Sequence, residues 1–508
     1  MAVLAAAMEH APPPKCKARL PAGYTYALQL VAHDVVDTSL PFWAAGQSAE
    51  ARNVQQRPLR LNTIYGGGPG LFPLAYARDP DSAGETIAFR LGPAVEKSGS
   101  DRPLSKGRDI PRIFLDTTAD GSSAGGLNAV LLADARNDQH LLLSQTVVIF
   151  MALHNAILAL LPPVPATHED AHTRMRLAEA RFACAKAATV LIYRTVLQED
   201  MLRNILHPEV WSFYAAGRPL LEGAERRRGV PLEFSHGAFR FGHAMIRDNY
   251  RLRGEVERHS VGDILNRTSA ILPPAFPVTT DWLLDWSNFL PLSSAEPANM
   301  ARAIGATSQP VLAQGNRFGA IHPEVGKPGV AIRDLMSAGL AGLWSVWALM
   351  DAIGRHPEGR RFVPLLEHSR KTWLAELSAW HATVPAAVQP GPKTIDQIKE
   401  DPPFPFFVLV EAAAAREHAG LGPLGSIIVA ETLLGILEHD PLPADLAARD
   451  LRTRLFRTGE MHGFGDALCY LPAIDSLASI LRFLADSEGW KDATPPLFTV
   501  DTPATPTP

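Results

Sequence analysis

The chain has 508 residues, of which 46% are hydrophobic, and its formal net charge is −5. This apolar fraction is enough for a large core. The negative charge argues against a nucleic-acid-binding protein, which usually carries a basic patch. The three cysteines, Cys16, Cys184 and Cys469, are far apart. They therefore exclude a disulfide framework and a metal–thiolate cluster, and they fit a reducing compartment.

The chain begins with an alanine-rich stretch and ends in a Pro/Thr-rich one. Residues 1–21 predict an N-terminal arm, and Met1–Met8 lacks the basic region of a signal peptide, so we expect a cytoplasmic protein. Residues 22–493 predict a single large helical domain with long irregular loops and few or no strands. The proline-rich composition of residues 494–508 predicts a disordered tail.

Apolar residues at helical spacing predict the elements of this domain. The first helix is expected over 26–37, and the region 53–109 is rich in Gly, Pro and Ser and predicts a long loop. The most extended helical patterns cover 138–161 and 169–197. Shorter ones follow at 239–251, 332–353, 362–380, 406–415 and 424–437.

The most hydrophobic region, Leu141 to Leu161, has the length of a membrane span. It contains Ser144, Gln145 and His154, and a buried helix of a helical bundle explains these polar residues better than a transmembrane segment does. Peripheral attachment to a membrane stays open.

Two short patterns imitate ligand-binding motifs. The glycines of 66–70 lack the Gly-Lys-Ser/Thr ending of a phosphate-binding loop. The run His168-Glu169-Asp170-Ala171-His172 matches the zinc-protease pattern H-E-x-x-H, but it follows a proline run and has no third ligand at a suitable spacing. Its acidic residues suit a helix start, so we interpret it as the beginning of the helix over 169–197.

One histidine lies in an apolar stretch, Phe239-Arg240-Phe241-Gly242-His243-Ala244-Met245. His243 could be a core residue whose imidazole bonds to a carbonyl group. It could also be an axial ligand of haem iron, since a neutral imidazole binds iron and an apolar pocket suits the macrocycle. This stretch alone leaves both interpretations open.

Further stretches favour the iron ligand. With Phe239–His243, the stretches Gln29–Asp34 and Arg136–Gln145 resemble the animal-type haem peroxidase superfamily, which includes myeloperoxidase and prostaglandin H synthase, and in particular its bacterial-type members. The resemblance runs from about Tyr26 to about Asp440. It also takes in Arg52–Asn53, Leu61–Pro69, Phe150–Asn155, Ala331–Leu335 and Gly422–Glu431.

The resemblance implies roles on the peroxide-binding, or distal, side of a haem. His33 would be the base that takes the first proton of the peroxide, and Arg136 would stabilise the developing negative charge. Gln29, one helical turn before His33, would hydrogen-bond a distal water or halide. The alternatives are a buried polar network for Gln29 and His33 and a surface salt bridge for Arg136.

On the opposite, or proximal, side the resemblance implies that His243 binds the iron. Its partner in the family is an asparagine, and the matching position here is Asp334, which would make the imidazole more anionic. Phe239 and Arg240 would line the same pocket. The alternative for Asp334 is an acid on the helix surface that pairs with Arg333.

Departures from the mammalian pattern imply a different mode of haem binding. Ala32 and Gln139 stand where mammalian members form ester links to haem, and His140 replaces a methionine. Neither alanine nor glutamine can form an ester, so we predict non-covalent haem b. Arg240 stands where the radical-forming tyrosine of prostaglandin H synthase lies, which disfavours a tyrosyl-radical dioxygenase.

The family's structural calcium site is also altered. The family uses the aspartate after the distal histidine, here Asp34, together with oxygen ligands from the loop over positions 56–62. This loop contains Arg60, and a guanidinium group cannot join a site of oxygen ligands for a hard cation. We therefore predict that no calcium binds and that Arg60 pairs with Asp34 in its place.

The resemblance predicts a peroxidase that reduces hydrogen peroxide and oxidises a small organic donor or a halide, as in a response to oxidative stress. An oxygenase that modifies one specific metabolite is the alternative within enzymes. A non-catalytic haem-binding or sensing protein is the alternative of another class. No nucleic acid and no transmembrane segment are expected, and the oligomeric state stays open.

Overall fold

A computed structural model defines the fold. The residues that it describes are 1–14, 19–37, 58–82, 84–97, 104, 107–115, 127–164, 170–217, 220, 229–254, 258–269, 271–272, 275–292, 297–313, 329–415, 420–439, 471, 473–487, 490 and 493–499. Arg52, Asn53, His168, Glu169 and the tail beyond Thr499 lie outside these ranges, as do Cys16 and Cys469.

The described chain is mainly α-helical, as predicted. Its α-helices are α1 Ala2–His10, α2 Gly23–Val35, α3 Asn62–Tyr65, α4 Leu141–Leu160, α5 Ala171–Val196, α6 Arg203–Ile205, α7 Pro208–Ala215, α8 Val261–Asn266, α9 Val330–Ala341, α10 Val346–Arg355, α11 Val363–Thr383, α12 Pro392–Glu400, α13 Phe404–Ala414, α14 Pro423–His439 and α15 Leu477–Asp486. Tighter 3-10 helices cover Pro73–Ala75, Ala135–Asp138, Ala238–Met245, Thr280–Trp282, Trp286–Asn288, Pro310–Ala313 and Gly359–Phe362, and π-helical turns cover Leu197–Leu202 and Glu233–Gly237.

The strands are short and form pairs. They are β1 Tyr76–Arg78, β2 Thr86–Phe89, β3 Ala94–Val95, β4 Arg112–Leu115, β5 Leu127–Val130, β6 Asn249–Tyr250, β7 His259–Ser260 and β8 Val278–Thr279. Three pairs are antiparallel, β1 with β2, β4 with β5 and β6 with β7, whereas β3 and β8 pair in parallel. The predicted loop over 53–109 therefore contains three of these short strands.

Helix α4 is the centre of the core. It is apolar on most faces, and two of its polar side chains are satisfied within the helix: Ser144 and Thr146 donate to the carbonyls of Leu141 and Leu142. Among the described helices, α4 has the length and apolar character of a membrane span, as does the bent pair α9 and α10 taken together. However, 94% of the most apolar window of α4 is buried inside the protein. Such burial is typical of a core helix.

The predicted N-terminal arm contains a buried helix. Helix α1 packs Leu4, Ala5, Ala7 and Met8 into the core and contacts α9. An alanine-rich segment shows little contrast between an apolar and a polar face, so periodicity did not reveal this helix.

The region predicted as one helix over 239–251 is wound more tightly. A π-helical turn ends at Gly237, and the 3-10 helix Ala238–Met245 follows it. Likewise, the predicted helix over 332–353 is divided into α9 and α10 at Gly342, whose φ of 66° lies in the left-handed region that glycine tolerates. These segments carry the predicted iron ligand, His243, and its predicted partner, Asp334.

The prediction of disorder from residue 494 is wrong for the part of the tail that the structure describes. Leu497 is buried, and the carbonyl group of this residue accepts the N–H of Trp286 at 3.0 Å. Thr499 donates its backbone N–H to Asp285 at 3.0 Å. These contacts to the start of the 3-10 helix Trp286–Asn288, more than 200 residues away, order a segment whose composition suggested disorder.

Candidate functional site

The predicted iron ligand, His243, is bonded to the predicted partner, Asp334. Nδ1 of His243 lies 2.7 Å from Oδ2 of the carboxylate. The 3-10 helix carries His243 and helix α9 carries Asp334, and the two elements meet although they are 91 residues apart in sequence. Because a carboxylate only accepts, Nδ1 holds the proton and the lone pair lies on Nε2.

The carboxylate of Asp334 also lies near a cation. Nη1 of Arg240 is 3.8 Å from Oδ1, and Nε of the same guanidinium donates to the carbonyl of Ser235 at 2.8 Å. The alternative partner, Arg333, is the neighbour of Asp334 on the same helix: burial lowers the pKa of its guanidinium group, and the charge of Asp334 opposes this effect. The negative charge on Asp334 therefore acts on an imidazole and on more than one guanidinium group.

The side chain of His243 is 40% exposed and, together with Asp334 and Arg240, borders a cavity of about 360 Å³, counting its open mouth. The cavity walls are mostly apolar, with Ala331, Leu335 and Leu409 among them. A Cβ built on Gly242 would have no heavy atom within 4 Å, so there is space beside the imidazole. An oriented imidazole, apolar walls and a nearby arginine fit the proximal side of a haem.

Phe239 packs against other aromatic rings of the segment that carries His243. Its ring stacks on that of Phe234 with centroids 4.5 Å apart and meets Phe241 edge to face at 5.7 Å. Such aromatic contacts favour a fixed position for the turn that carries His243.

The predicted distal base, His33, lies on α2 and is buried. Its Nδ1 is 3.1 Å from Oδ1 of Asn137, and Nδ2 of Asn137 donates to the carbonyl of Thr63 at 3.3 Å. This second bond assigns the amide, so Nδ1 of His33 donates and Nε2 is the basic nitrogen. Burial, together with the charge of Arg136, lowers the pKa of His33 to about 4. His33 is therefore neutral near neutral pH, as a general base must be.

Arg136 lies close to His33 but bonds to backbone groups. Its Nη2 donates to the carbonyl of His33 at 3.0 Å, and Nη1 donates to the carbonyl of Val36 at 2.8 Å. Asp134 accepts from Nε and Nη2 of the same guanidinium. Arg136 thus caps the C-terminal end of α2, where a cation also suits the helix dipole, and in this arrangement it acts on His33 through its charge.

Gln29, Gln139 and His140 form one hydrogen-bonded group. Gln29 donates Nε2 to Oε1 of Gln139 at 3.0 Å and accepts from Nε2 of His140 at 2.8 Å. Nδ1 of His140 accepts the N–H of Leu143 at 3.2 Å and caps the start of α4, which places the proton of this imidazole on Nε2. Ala32 lies on α2, three residues after Gln29, and is half-buried.

The sequence analysis predicted that Arg60 pairs with Asp34. Among the described contacts, none joins the carboxylate of Asp34 to the guanidinium group of Arg60. Its carboxylate accepts the backbone N–H of Leu61 at 2.9 Å. Burial raises the pKa of Asp34 to about 6, and backbone N–H groups of the loop over 60–63 oppose this rise. The loop therefore offers hydrogen-bond donors to the carboxylate of Asp34. A cation at this position would need further oxygen ligands.

The zinc-protease pattern forms no site within the described residues. Asp170 caps α5 by accepting the N–H groups of His172 and Thr173, as expected for a helix start. Among all described residues no group of three or more His, Cys, Asp or Glu side chains could hold a metal ion.

Two residues of the site escaped the sequence analysis. Asn137 orients His33, and Asp134 holds Arg136. Asn137 lies within the stretch that carries the distal resemblance, and Asp134 lies two residues before it, so their position beside Arg136 was the available signal. The contact of Asn137 depends on how the 3-10 helix Ala135–Asp138 meets the end of α2, because His33 is 104 residues away in sequence.

The fold is similar to that of a solved structure, a fatty acid alpha-dioxygenase from Arabidopsis thaliana. The alignment covers 100% of this chain and 78% of that chain, with a TM-score of 0.52 and 11% sequence identity. The chain has the animal haem peroxidase fold. At this identity the similarity establishes the fold, while the chemistry of this haem peroxidase fold has to be argued from its side chains.

Other comparisons give lower scores. A fatty acid alpha-dioxygenase from Oryza sativa aligns with 99% of this chain and 81% of its own, with a TM-score of 0.49 and 11% identity. Peroxidase A from Dictyostelium discoideum aligns with 94% of this chain and 89% of its own, with a TM-score of 0.49 and 12% identity. No protein-family model and no curated protein sequence matches the chain.

Proposed function

We propose that the chain is a haem-dependent peroxidase, which reduces hydrogen peroxide at a non-covalent haem b and oxidises a small organic donor or a halide. The contact of 2.7 Å between His243 and Asp334 carries this proposal. A bonded carboxylate holds the imidazole with Nε2 directed away from it and raises its basicity as a ligand. A histidine that only filled the core would not need a carboxylate partner beside an open cavity.

The haem would supply the iron that binds the peroxide and takes up its oxidising equivalents. His33 would take the first proton of the peroxide on Nε2 and return it to the leaving oxygen, so that water departs. Asn137 keeps His33 in the required tautomer. The positive charge of Arg136 favours the neutral imidazole before this proton transfer.

The distal amides support the same reaction. Gln29 is fixed by Gln139 and His140 on both sides of its amide group, so it can hold a distal water or a halide without losing its position. Asp334 and Arg240 would hold the proximal imidazole, and Phe239 would support their segment.

Residue chemistry supports a non-covalent mode of haem binding. Ala32 has no carboxylate, and Gln139 carries an amide, so neither can esterify the haem. Oδ2 of Asp34 accepts the N–H of Leu61, whereas Oδ1 is buried without a hydrogen-bond partner among the described residues. The proposed absence of calcium rests on Arg60, whose guanidinium group cannot join the oxygen ligands that a hard cation requires.

An oxygenase that acts on one metabolite is the second candidate. The fold comparison favours it, because the solved structure that aligns with a TM-score of 0.52 is a fatty acid alpha-dioxygenase. Arg240 occupies the position of the radical-forming tyrosine, which favours the peroxidase. A haem-binding protein without catalysis is the third candidate, but it would not need a neutral, oriented His33.

An absorption spectrum tests the proposal directly. Haem-loaded protein is mixed with one equivalent of hydrogen peroxide, and the Soret band is followed from milliseconds onwards. We expect the band to change with peroxide and to return when a phenol or bromide is added. A ferric Soret band that ignores peroxide would favour the oxygenase or the haem-binding protein, and the absence of any Soret band would refute the role of His243.

Variants assign the residues. His243→Ala is expected to lose the Soret band, whereas His33→Ala should bind haem and react slowly with peroxide. His172→Gln is the control, because this exposed histidine lies at the start of α5, on a segment that contributes none of the side chains of the site. A similar loss in the control would mean that the spectra report general instability.

A further inference from the structure

His140 connects the start of helix α4 to the residues of the predicted distal side. It replaces a methionine of the mammalian pattern, so its role has to be argued from its own contacts. Its imidazole ring is buried, and the two ring nitrogens face different partners. Nδ1 lies 3.2 Å from the backbone nitrogen of Leu143, and Nε2 lies 2.8 Å from Oε1 of Gln29.

The backbone of α4 decides which nitrogen of His140 carries the proton. The N–H of Leu143 is one of the first N–H groups of the helix, which have no acceptor within it. A backbone N–H can only donate, so Nδ1 has to accept and the proton lies on Nε2. Nε2 is therefore the donor in the contact with Gln29.

The same reasoning assigns the amide of Gln29. Its Oε1 accepts from His140, so Nε2 carries both N–H groups, and one of them donates to Oε1 of Gln139 at 3.0 Å. A reversed amide would place an N–H of Gln29 against the N–H of His140. The second N–H of Gln29 has no acceptor among the residues that the structure describes, and this side chain is partly exposed.

A tyrosine holds the imidazole in its plane. The ring of Tyr26 meets that of His140 edge to face, with centroids 5.3 Å apart and an interplanar angle of 72°. Tyr26 and Gln29 both lie on α2, about one turn apart. The helix that carries Gln29 thus also carries the ring that packs against His140, and a rotated imidazole would lose this contact together with both hydrogen bonds.

Gln29 and His33 lie one turn apart on the same face of α2. Nδ1 of His33 donates to Asn137, so Nε2 of His33 is an acceptor. This face of the helix therefore combines an acceptor, His33, with a donor, Gln29. A ligand atom beside the amide nitrogen of Gln29 has to accept a hydrogen bond.

We propose that His140 is a positioning residue: its protonated Nε2 fixes the amide of Gln29 with the N–H groups as donors, so that the distal side binds ligands that accept a hydrogen bond there. His140 acts on such a ligand through Gln29. The proposal rests on the proposed function for the position of Gln29 beside a haem, whereas the orientation of the amide depends on contacts within the chain.

Two substitutions separate the two nitrogens of His140. His140→Asn keeps an acceptor for the N–H of Leu143, because asparagine is a favoured N-cap residue, but its side chain is too short to reach Gln29. His140→Gln can reach Gln29 with an amide N–H but loses the cap. If His140 were only structural, the less stable variant would also bind ligand less well. A positioning role predicts the opposite order.

Fluoride is the probe, because it can only accept a hydrogen bond and its binding to ferric haem changes the absorption spectrum without turnover. In haem-loaded full chain, its dissociation constant should rise about tenfold in His140→Asn and at most about threefold in His140→Gln, since an unfixed amide has to be oriented by the anion itself. The urea midpoint should fall in His140→Gln and stay close to that of the wild type in His140→Asn.

A double-variant cycle shows whether His140 acts through Gln29. Gln29→Leu removes the amide and should weaken fluoride binding at least about tenfold. In this background His140→Asn should change the dissociation constant by less than about twofold, since the interaction between the two residues is already lost. Additive losses would overturn the proposal, and so would a larger loss of affinity in His140→Gln than in His140→Asn.

A measurement without haem keeps this proposal separate from the proposed function. Nitrogen NMR of the haem-free chain with labelled histidine identifies His140 by the ring signals that disappear in His140→Asn. These signals should show the proton on Nε2, and a proton on Nδ1 would overturn the proposal whether or not the chain binds haem. If no Soret band forms, the role of His243 fails, and the tautomer of His140 still decides the orientation of Gln29.

Discussion

The buried carboxylate of Asp34 should make the stability of the protein depend on pH in a way that one substitution removes. The pKa of this group rises from 3.8 to about 6 on folding, chiefly because the carboxylate is buried. The folded state therefore holds a proton that the unfolded state has released. This contribution is complete below about pH 4 and is lost as the pH rises towards 6. The difference between the two pKa values corresponds to roughly 3 kcal/mol.

Urea unfolding of the wild-type chain and of Asp34→Asn, at steps from about pH 4 to about pH 7, measures this effect. The free energy of unfolding of the wild type, relative to that of the variant, should fall by roughly 2.5 kcal/mol over this interval, most of the full difference of roughly 3 kcal/mol. Asp396→Asn controls for the loss of one charge, because the side chain of Asp396 is 69% exposed. Its difference from the wild type should change little with pH.

The same series tests the prediction that no calcium binds. A calcium ion would stabilise the charged carboxylate and reverse the sign of the effect. We expect calcium chloride at about 1 mM, a large excess over typical site affinities, to leave the wild-type unfolding curve at neutral pH unchanged. Stabilisation of the wild type but not of Asp34→Asn by calcium would refute the reasoning, and so would a difference between them that does not vary with pH.

Three further predictions concern the haem site. Asp334→Asn should raise the ferric/ferrous potential of haem-loaded protein, because the proximal imidazole becomes less anionic; spectroelectrochemistry that finds an unchanged or lower potential removes Asp334 from this role. Since the pKa of His33 is about 4, the stopped-flow rate with peroxide should be level above about pH 5 and fall below about pH 4, and His33→Ala should lower it by roughly 10²–10⁴-fold. A decline that starts near pH 6.5 would contradict the buried, neutral state of His33. Acidified organic solvent should extract the pigment completely, and haem retained in the protein pellet would show a covalent link that Ala32 and Gln139 cannot provide.

Much of the site could be predicted from the sequence because its chemistry is carried by short motifs. His243 and Asp334 were paired by the order of the motifs, and their side chains are in contact. The roles of both residues in binding iron stay predictions. The helical class of the fold followed from periodicity, since long amphipathic and fully apolar runs give a strong helical signal.

What sequence reasoning missed depends on contacts between distant segments. The bond from His33 to Asn137 joins positions that are 104 residues apart, and the order of the segment that contains Leu497 comes from its packing on Trp286. The breaks at Gly237 and Gly342 depend on how each chain segment has to turn to reach its neighbour. Local propensity carries no information on such tertiary contacts.

The bonds from Arg136 to the last turn of α2 affect how mutations at this site should be interpreted. The guanidinium group holds the carbonyl of His33 itself, so the removal of Arg136 frees the backbone that positions the base and at the same time removes a charge. The loss of rate in an Arg136 variant will therefore contain a part that belongs to His33. The rate losses from substitutions at the two positions should be strongly non-additive. Only the double variant separates the effect of the lost charge from the effect of the freed backbone.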